Sequence, residues 1–242
     1  MFTIATTVFA LLSLTVPAPA HGDAARHASS TLDRLQAAWT ALDGYTVTIE
    51  AHEVSGDKTA DNELRYAFAK PDHVRLEVVS GSQAGGTVLW DGGDRVTAFR
   101  RGLSFFKLHP SLHDKNVTSL RGNSVLTPDL GDILSCYGAH RNAVSEGDGP
   151  VIDGAETAEL KLTYDGFQCP DDPPADRDVT LDVIDVSKTT GLIVERRRYE
   201  GDALVEKWDL KDYRIQGGTL ASQTSGQAPV LPKPPAARTV SP

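Results

Sequence analysis

Between Glu63 and Phe99 the chain alternates apolar and polar residues in four successive runs. Leu64, Tyr66 and Phe68 interleave with Arg65, Ala67 and Ala69, and Val74, Leu76 and Val78 with Arg75 and Glu77; runs at 87–90 and 95–99 follow. A period of two sends every second side chain to one face, so each run predicts a half-buried strand. The interruptions are Lys70-Pro71-Asp72, the glycine-rich stretch 81–86 and Asp91-Gly92-Gly93-Asp94. These residues suit turns, because Pro fixes φ and Gly admits positive φ. Strands joined so tightly are antiparallel neighbours, since a parallel connection needs a crossover of about a dozen residues or more.

The same reading extends in both directions. Ala28, Leu32, Leu35, Trp39 and Leu42 recur at steps of four and three. That stripe predicts a helix over 31–43, capped by Ser29 or Ser30, aided by Asp33 and ended by Gly44. Trp39, at the centre of the stripe, is expected against a sheet. Residues 45–53 predict a first strand with Tyr45, Val47, Ile49 and Ala51 on one face, and 54–62 a polar connection. Residues 103–108, LSFFKL, predict a further short strand, and 109–123 an irregular polar segment. Thr127-Pro128-Asp129 predicts a helix start with Thr127 as cap, the helix running to about Tyr137. Alternation returns at 157–164, 178–186, 192–200 and 203–215, the last two joined across Gly201-Asp202. The expected fold is mainly β, of the α+β kind. It is a single curled antiparallel sheet of about nine to eleven strands, forming an unclosed barrel with helices covering its concave face.

Composition narrows the functional classes. The 242 residues carry a net charge of −9 and show no basic stripe, which argues against nucleic acid and against adsorption to anionic lipid headgroups. Residues 4–17 are apolar but too short to span a bilayer, and Ala18-Pro19-Ala20 is a small-residue cleavage pattern. The expected organisation is a signal peptide at 1–20, one folded domain at 27–216 and a loose Pro/Ala/Ser-rich tail at 217–242. The expected mature protein is a periplasmic or secreted monomer that does not span the membrane. An even pair of cysteines in an exported chain, Cys136 and Cys169, suggests one disulfide, with two buried thiols as the alternative.

The candidate chemistry is sparse. His109 and His113 flank Pro110 without a third ligand, so a surface loop is favoured over a metal site. Gly81-Ser82-Gln83-Ala84-Gly85 does not centre its Ser as a nucleophile elbow does. Gly85-Gly86 and Gly92-Gly93 lack the strand–loop–helix setting of a phosphate cradle. In Arg196-Arg197-Arg198 alternation turns Arg197 away from its neighbours, and a solvated face is expected. No catalytic residue, cofactor or metal ligand is assigned.

Several stretches, in their order, resemble the periplasmic lipoprotein-carrier superfamily of LolA and LolB. LDRLQAAWTALDGYTVTIE is similar to its opening helix and first strand, and LRYAFAKPDHVRLEV to its second hairpin. TVLWDGGDRVTAF and VTLDVIDVSKTTGLIVERRRYEGDALVEKWDLKDYRI resemble a later hairpin and the C-terminal sheet. The resemblance implies an unclosed barrel holding acyl chains under a helical lid. Lys70 stands where the carrier typically has an Arg that faces the hollow and holds the lid; Lys lacks the rigid fork of Arg. Burying acyl chains is worth about 0.8 kcal/mol per CH₂, roughly 13 kcal/mol gross for a 16-carbon chain. The expected function is therefore a non-catalytic carrier of lipid or lipoprotein acyl chains. The alternative is a periplasmic sensor or scaffold of the same fold that binds a membrane-associated protein partner. Candidate lipid-lining residues are Trp39, Tyr66, Phe68, Lys70, Trp90, Phe99, Phe105 and Trp208; packing into a dry core is the other reading for the aromatic ones.

Overall fold

The computed structural model describes residues 22–103, 105–169, 172 and 178–217, of which 22–30 by their backbone alone. The expected leader at 1–20 and nearly all of the expected tail lie outside the described residues. Helix α1 (Gly22–Ala41) precedes strands β1 (Gly44–Ser55), β2 (Lys58–Ala69), β3 (His73–Ser80), β4 (Gly86–Trp90) and β5 (Thr97–Arg100). Helix α2 (Leu130–Ala139) separates these from β6 (Val144–Ile152), β7 (Ala155–Thr163), β8 (Leu181–Ser187), β9 (Ile193–Glu200) and β10 (Ala203–Gln216). All ten strands form one antiparallel sheet in the order β5-β4-β3-β2-β1-β10-β9-β8-β7-β6. It is two five-stranded meanders joined through β1 and β10, and β5 and β6 are its two outer strands, which do not pair with each other to close a barrel.

This order fixes what lies over the sheet. Because β5 and β6 are opposite edges, the chain between them must cross the whole width of the sheet. Residues 101–129 and α2 make that crossing over the inner face. The Leu130 N–H donates to the Tyr45 hydroxyl at 3.3 Å, and the Tyr137 hydroxyl donates to the Asp182 carbonyl at 3.1 Å. Helix α1 lies beside α2 and packs on β6. Its Leu32, Leu35, Ala38 and Leu42 are buried in one cluster with Tyr45, Val47 and Ile49 of β1, Tyr66 and Phe68 of β2, and Leu160 and Leu162 of β7. Gly131 lets the helices close: a Cβ there would meet the Trp39 indole at 2.9 Å. Cys136 of α2 is disulfide-bonded to Cys169, with Cα atoms 5.3 Å apart.

Several expectations are corrected. Helix α1 starts nine residues earlier than 31, so Ser29 and Ser30 do not cap it, and it ends at Ala41 while Gly44 opens β1. The cap of α2 is Asp129, whose carboxylate accepts from the Gly131 N–H at 3.1 Å, not Thr127. Residues 54–62 are not a connection: β1 and β2 run on to a two-residue turn, Gly56-Asp57, with Gly56 at φ +61°. Among the described residues of 103–108 none lies in a strand, and of these Leu108 alone forms a bridge, to Ala98. Strand β6 went unforeseen because VSEGDGPVI has no alternating apolar face. It is an edge strand, where Pro, Gly and charge are tolerated and discourage pairing with other chains.

The largest correction concerns the arginines of β9. Arg196 and Arg198 do share a face, but it is the inner one, and they are 5% and 1% exposed. Arg196 makes a fork with Asp182, at 2.7 Å from Nη2 and 3.2 Å from Nε. Arg198 meets Asp172 at 2.6 Å, Glu206 at 3.7 Å and Asp182 at 3.6 Å. Buried charges persist only when paired in this manner. Burial and Arg198 act to lower the Arg196 pKa, the Asp182 carboxylate acts to raise it, and the net direction is upward.

Candidate ligand-binding hollow

The inner face divides into a filled half and an open half. Over β7–β10, and over the ends of β1 and β2 that carry Tyr45 and Phe68, the helices, the disulfide and the Arg196–Asp182–Arg198 group occupy the space. Over β1–β4 a hollow of about 1020 Å³ remains between the sheet and the crossing segment 113–128. Strand alternation supplies its wall. Ala51 of β1, Leu64 of β2, Leu76 and Val78 of β3 and Val88 of β4 face it, with register pairs Leu64–Val78 and Leu76–Val88. Trp208 of β10 closes the side toward the filled half, with the Arg196 guanidinium 5.3 Å from its ring centre. Val117, Leu120 and Val125 form the roof, and exposed Lys58, Thr59, Ser82 and Gln83 lie on the rim.

A polar belt fastens the roof. Glu53, 2% exposed, accepts from the Leu120 N–H at 3.0 Å and from the Asn123 amide at 2.7 Å. The same amide donates to Glu206 at 2.7 Å, and Arg121 donates to the Val54 carbonyl at 2.7 Å and to Glu200 at 2.8 Å. Segment 117–125 is therefore anchored at Arg121 and Asn123 by charge-assisted bonds, which are about twice as strong as neutral ones. Its apolar residues Val117, Leu120 and Val125 hang over the hollow on either side of those anchors.

Magnitude decides the state of this space. At about 24 cal/mol per Å³, a dry void of this size would cost about 24 kcal/mol. That exceeds the roughly 5–15 kcal/mol by which a domain is stable. The hollow is a space for solvent or ligand, and an apolar wall offers water few partners. Its size matches the upper end of small-molecule sites, about 300–1,000 Å³.

The sequence-derived candidates are scattered about this geometry. Trp208 borders the hollow. Tyr66 and Phe68 are buried among side chains, Phe68 with its ring 5.7 Å from Tyr45 and 5.1 Å from Trp39. Trp39 is half-buried between α2 and that cluster. The Lys70 ammonium donates to the Trp39 carbonyl at 2.7 Å and sits 4.6 Å from the Trp39 ring centre, so it holds the C-terminal turn of α1 on the sheet. Trp90 is half-buried against the core, its indole N–H donating to the Gly93 carbonyl at 2.8 Å. Phe99 opposes Thr87, on the face turned away from the Val88–Ala98 pair. Phe105 is 83% exposed. His113 borders the hollow, whereas the His109 ring lies 3.2 Å from the Thr97 hydroxyl; among the described residues no three His, Cys, Asp or Glu gather as metal ligands. The aliphatic wall is not among the candidates, because large aromatics were the expected lining. Its signal is nevertheless present in the sequence, as the alternate residues of β2 and β3.

No protein-family model matches the sequence, and no curated protein matches it. Solved structures are similar in fold. LprF from Mycobacterium bovis is 14% identical with a TM-score of 0.44, over 81% of this chain and 97% of that one. A LolA superfamily protein from Nitrosomonas europaea is 11% identical with a TM-score of 0.35, over 78% of this chain and 93% of that one. In the Pseudomonas aeruginosa MucA/MucB complex the match is 14% identical, TM-score 0.37, over 80% of this chain and 58% of that one. At such identities a likeness concerns the arrangement of the chain and not its activity.

Proposed function

We propose that this protein is a non-catalytic carrier that holds the acyl chains of a lipid or lipoprotein in the hollow over β1–β4. The single observation behind this reading is the 1020 Å³ space walled by Ala51, Leu64, Leu76, Val78 and Val88. Such a wall gives an acyl chain about 0.8 kcal/mol per CH₂ removed from water and asks for no reacting group. Export fits the same picture: the apolar stretch 4–17 precedes a small-residue pattern, and the Cys136–Cys169 bond belongs to an oxidising compartment. Lys70 acts as the latch that keeps α1 down beside the filled half.

Titration with an apolar fluorophore, displaced by a long-chain fatty acid, tests the proposal. Val78→Trp fills the hollow from its wall, and the expected result is at least about a tenfold loss of probe affinity with an unchanged thermal midpoint. Equal affinity in Val78→Trp and wild type, or no displacement by the fatty acid, would overturn it.

A further inference from the structure

The segment following β5 carries a feature that the hollow does not use. Phe105 is 83%, Phe106 65%, Leu108 54% and Leu103 52% exposed. Four large apolar side chains exposed within six residues exceed the scattered single exposure that is ordinary on a protein surface. They stand on a turn in which the Leu103 N–H donates to the Arg100 carbonyl at 2.9 Å and the Phe106 N–H to the Leu103 carbonyl at 2.9 Å.

Charge selects the partner. From Arg95 to His113 the chain has Arg95, Arg100, Arg101 and Lys107 and no Asp or Glu, within a molecule of net charge −9. Among the described residues no carboxylate pairs with Arg100, Arg101 or Lys107. Aromatic and aliphatic side chains interleaved with cations suit the headgroup–acyl boundary of an anionic bilayer, where phosphates meet the cations and the apolar groups enter. The local charge of this stretch is thus opposite in sign to the net charge of the chain.

Position links the surface to the hollow. The Arg101 N–H donates to the Gly85 carbonyl at 2.8 Å, and the Arg100 guanidinium to the Ala84 carbonyl at 3.2 Å. The tip is thus rooted on the turn between β3 and β4, whose Ser82 and Gln83 form part of the rim. We infer that the tip from Leu103 to Leu108, with Arg100, Arg101 and Lys107, is a docking wedge for an anionic lipid surface, which sets the rim of the hollow against the headgroups.

Flotation of the full chain with vesicles tests this. One set is pure phosphatidylcholine, and the other contains about one third phosphatidylglycerol. The apolar stretch 4–17 is common to every variant, so ratios between variants report the tip. Phe105→Ser/Phe106→Ser is expected to lower partition onto the anionic vesicles at least about tenfold. Arg100→Gln/Arg101→Gln/Lys107→Gln is expected to remove the preference for anionic over neutral vesicles, at about fivefold per charge. All five positions are exposed, and unchanged melting curves establish that the variants fold. Equal flotation of wild type and Phe105→Ser/Phe106→Ser overturns the inference. So does a wild-type dimer in sedimentation that this variant abolishes without changing flotation, since the tip would then be a protein contact. The vesicle assay reads the tip and the fluorophore titration reads the hollow, so each proposal can fail alone.

Discussion

Arg198 is the side chain on which the filled half of the sheet depends. It is surrounded by Asp172, Asp182 and Glu206, all at most 3% exposed. Arg198→Met takes the cation from beside Asp172 and Glu206, while Asp182 keeps its fork with Arg196, and removal of one partner from a buried pair costs about 3–5 kcal/mol. A urea titration should show that loss, whereas a shift below about 1 kcal/mol would mean that water reaches the site. Buried phenols set a second expectation. Burial raises the pKa of Tyr45, Tyr66, Tyr137, Tyr164 and Tyr213. A phenol with a raised folded pKa contributes stability that is full below the unfolded value of about 10 and is lost as pH climbs from there toward the folded value. Five such groups give up to about 7 kcal/mol per pH unit, so unfolding is expected by about pH 12. The absorbance of these five tyrosinates should appear together with loss of circular dichroism; ionisation of more than one of the six phenols at pH 10 in an intact fold would contradict this. Alternation already put Arg196 and Arg198 on one face. The sequence does not say which face, because Asp182 and Glu206 become their neighbours only through strand register, and charged residues usually lie outside.

At the scale of elements, hairpins were legible and edges were not. β3, β9 and β10 carry a clear period of two, with Gly or Pro turns beside them, and their boundaries and those of β4 fall within a few residues of expectation, whereas β2 starts at Lys58, well before the alternation at Leu64. β6 and the turn at 103–108 reverse the usual signals. One is a polar strand at an edge, and the other is an apolar run exposed to water. Local pattern cannot reveal either, because what decides them is the absence of a neighbour on one side. The Cys136–Cys169 bond joins α2 to the segment after β7 across 33 residues. The Cys169 N–H also donates to Asp172, the partner of Arg198, at 3.0 Å. Cys136→Ser/Cys169→Ser should lower stability by about 3–4 kcal/mol from chain entropy. A denaturant midpoint unchanged by reduction would show that the tie is redundant.

For the molecule as a whole, topology produces the hollow. Two meanders joined at β1 and β10 leave their free edges far apart, and the chain between those edges has to cross the inner face. Where that crossing is helical it fills the trough, and where it is the irregular segment 113–128 it leaves space. The curled sheet under helices was foreseeable from the count and order of strands. The partition into a filled and an open half was not, since it depends on how far one unpatterned segment stands off the sheet.

The most direct measurement is organic extraction and mass spectrometry of the natively purified protein, beside the Val78→Trp variant. The account predicts about one equivalent of an acyl-bearing lipid from wild type and a large reduction from the variant. Wild type that yields no lipid, and that binds no apolar fluorophore, would contradict it.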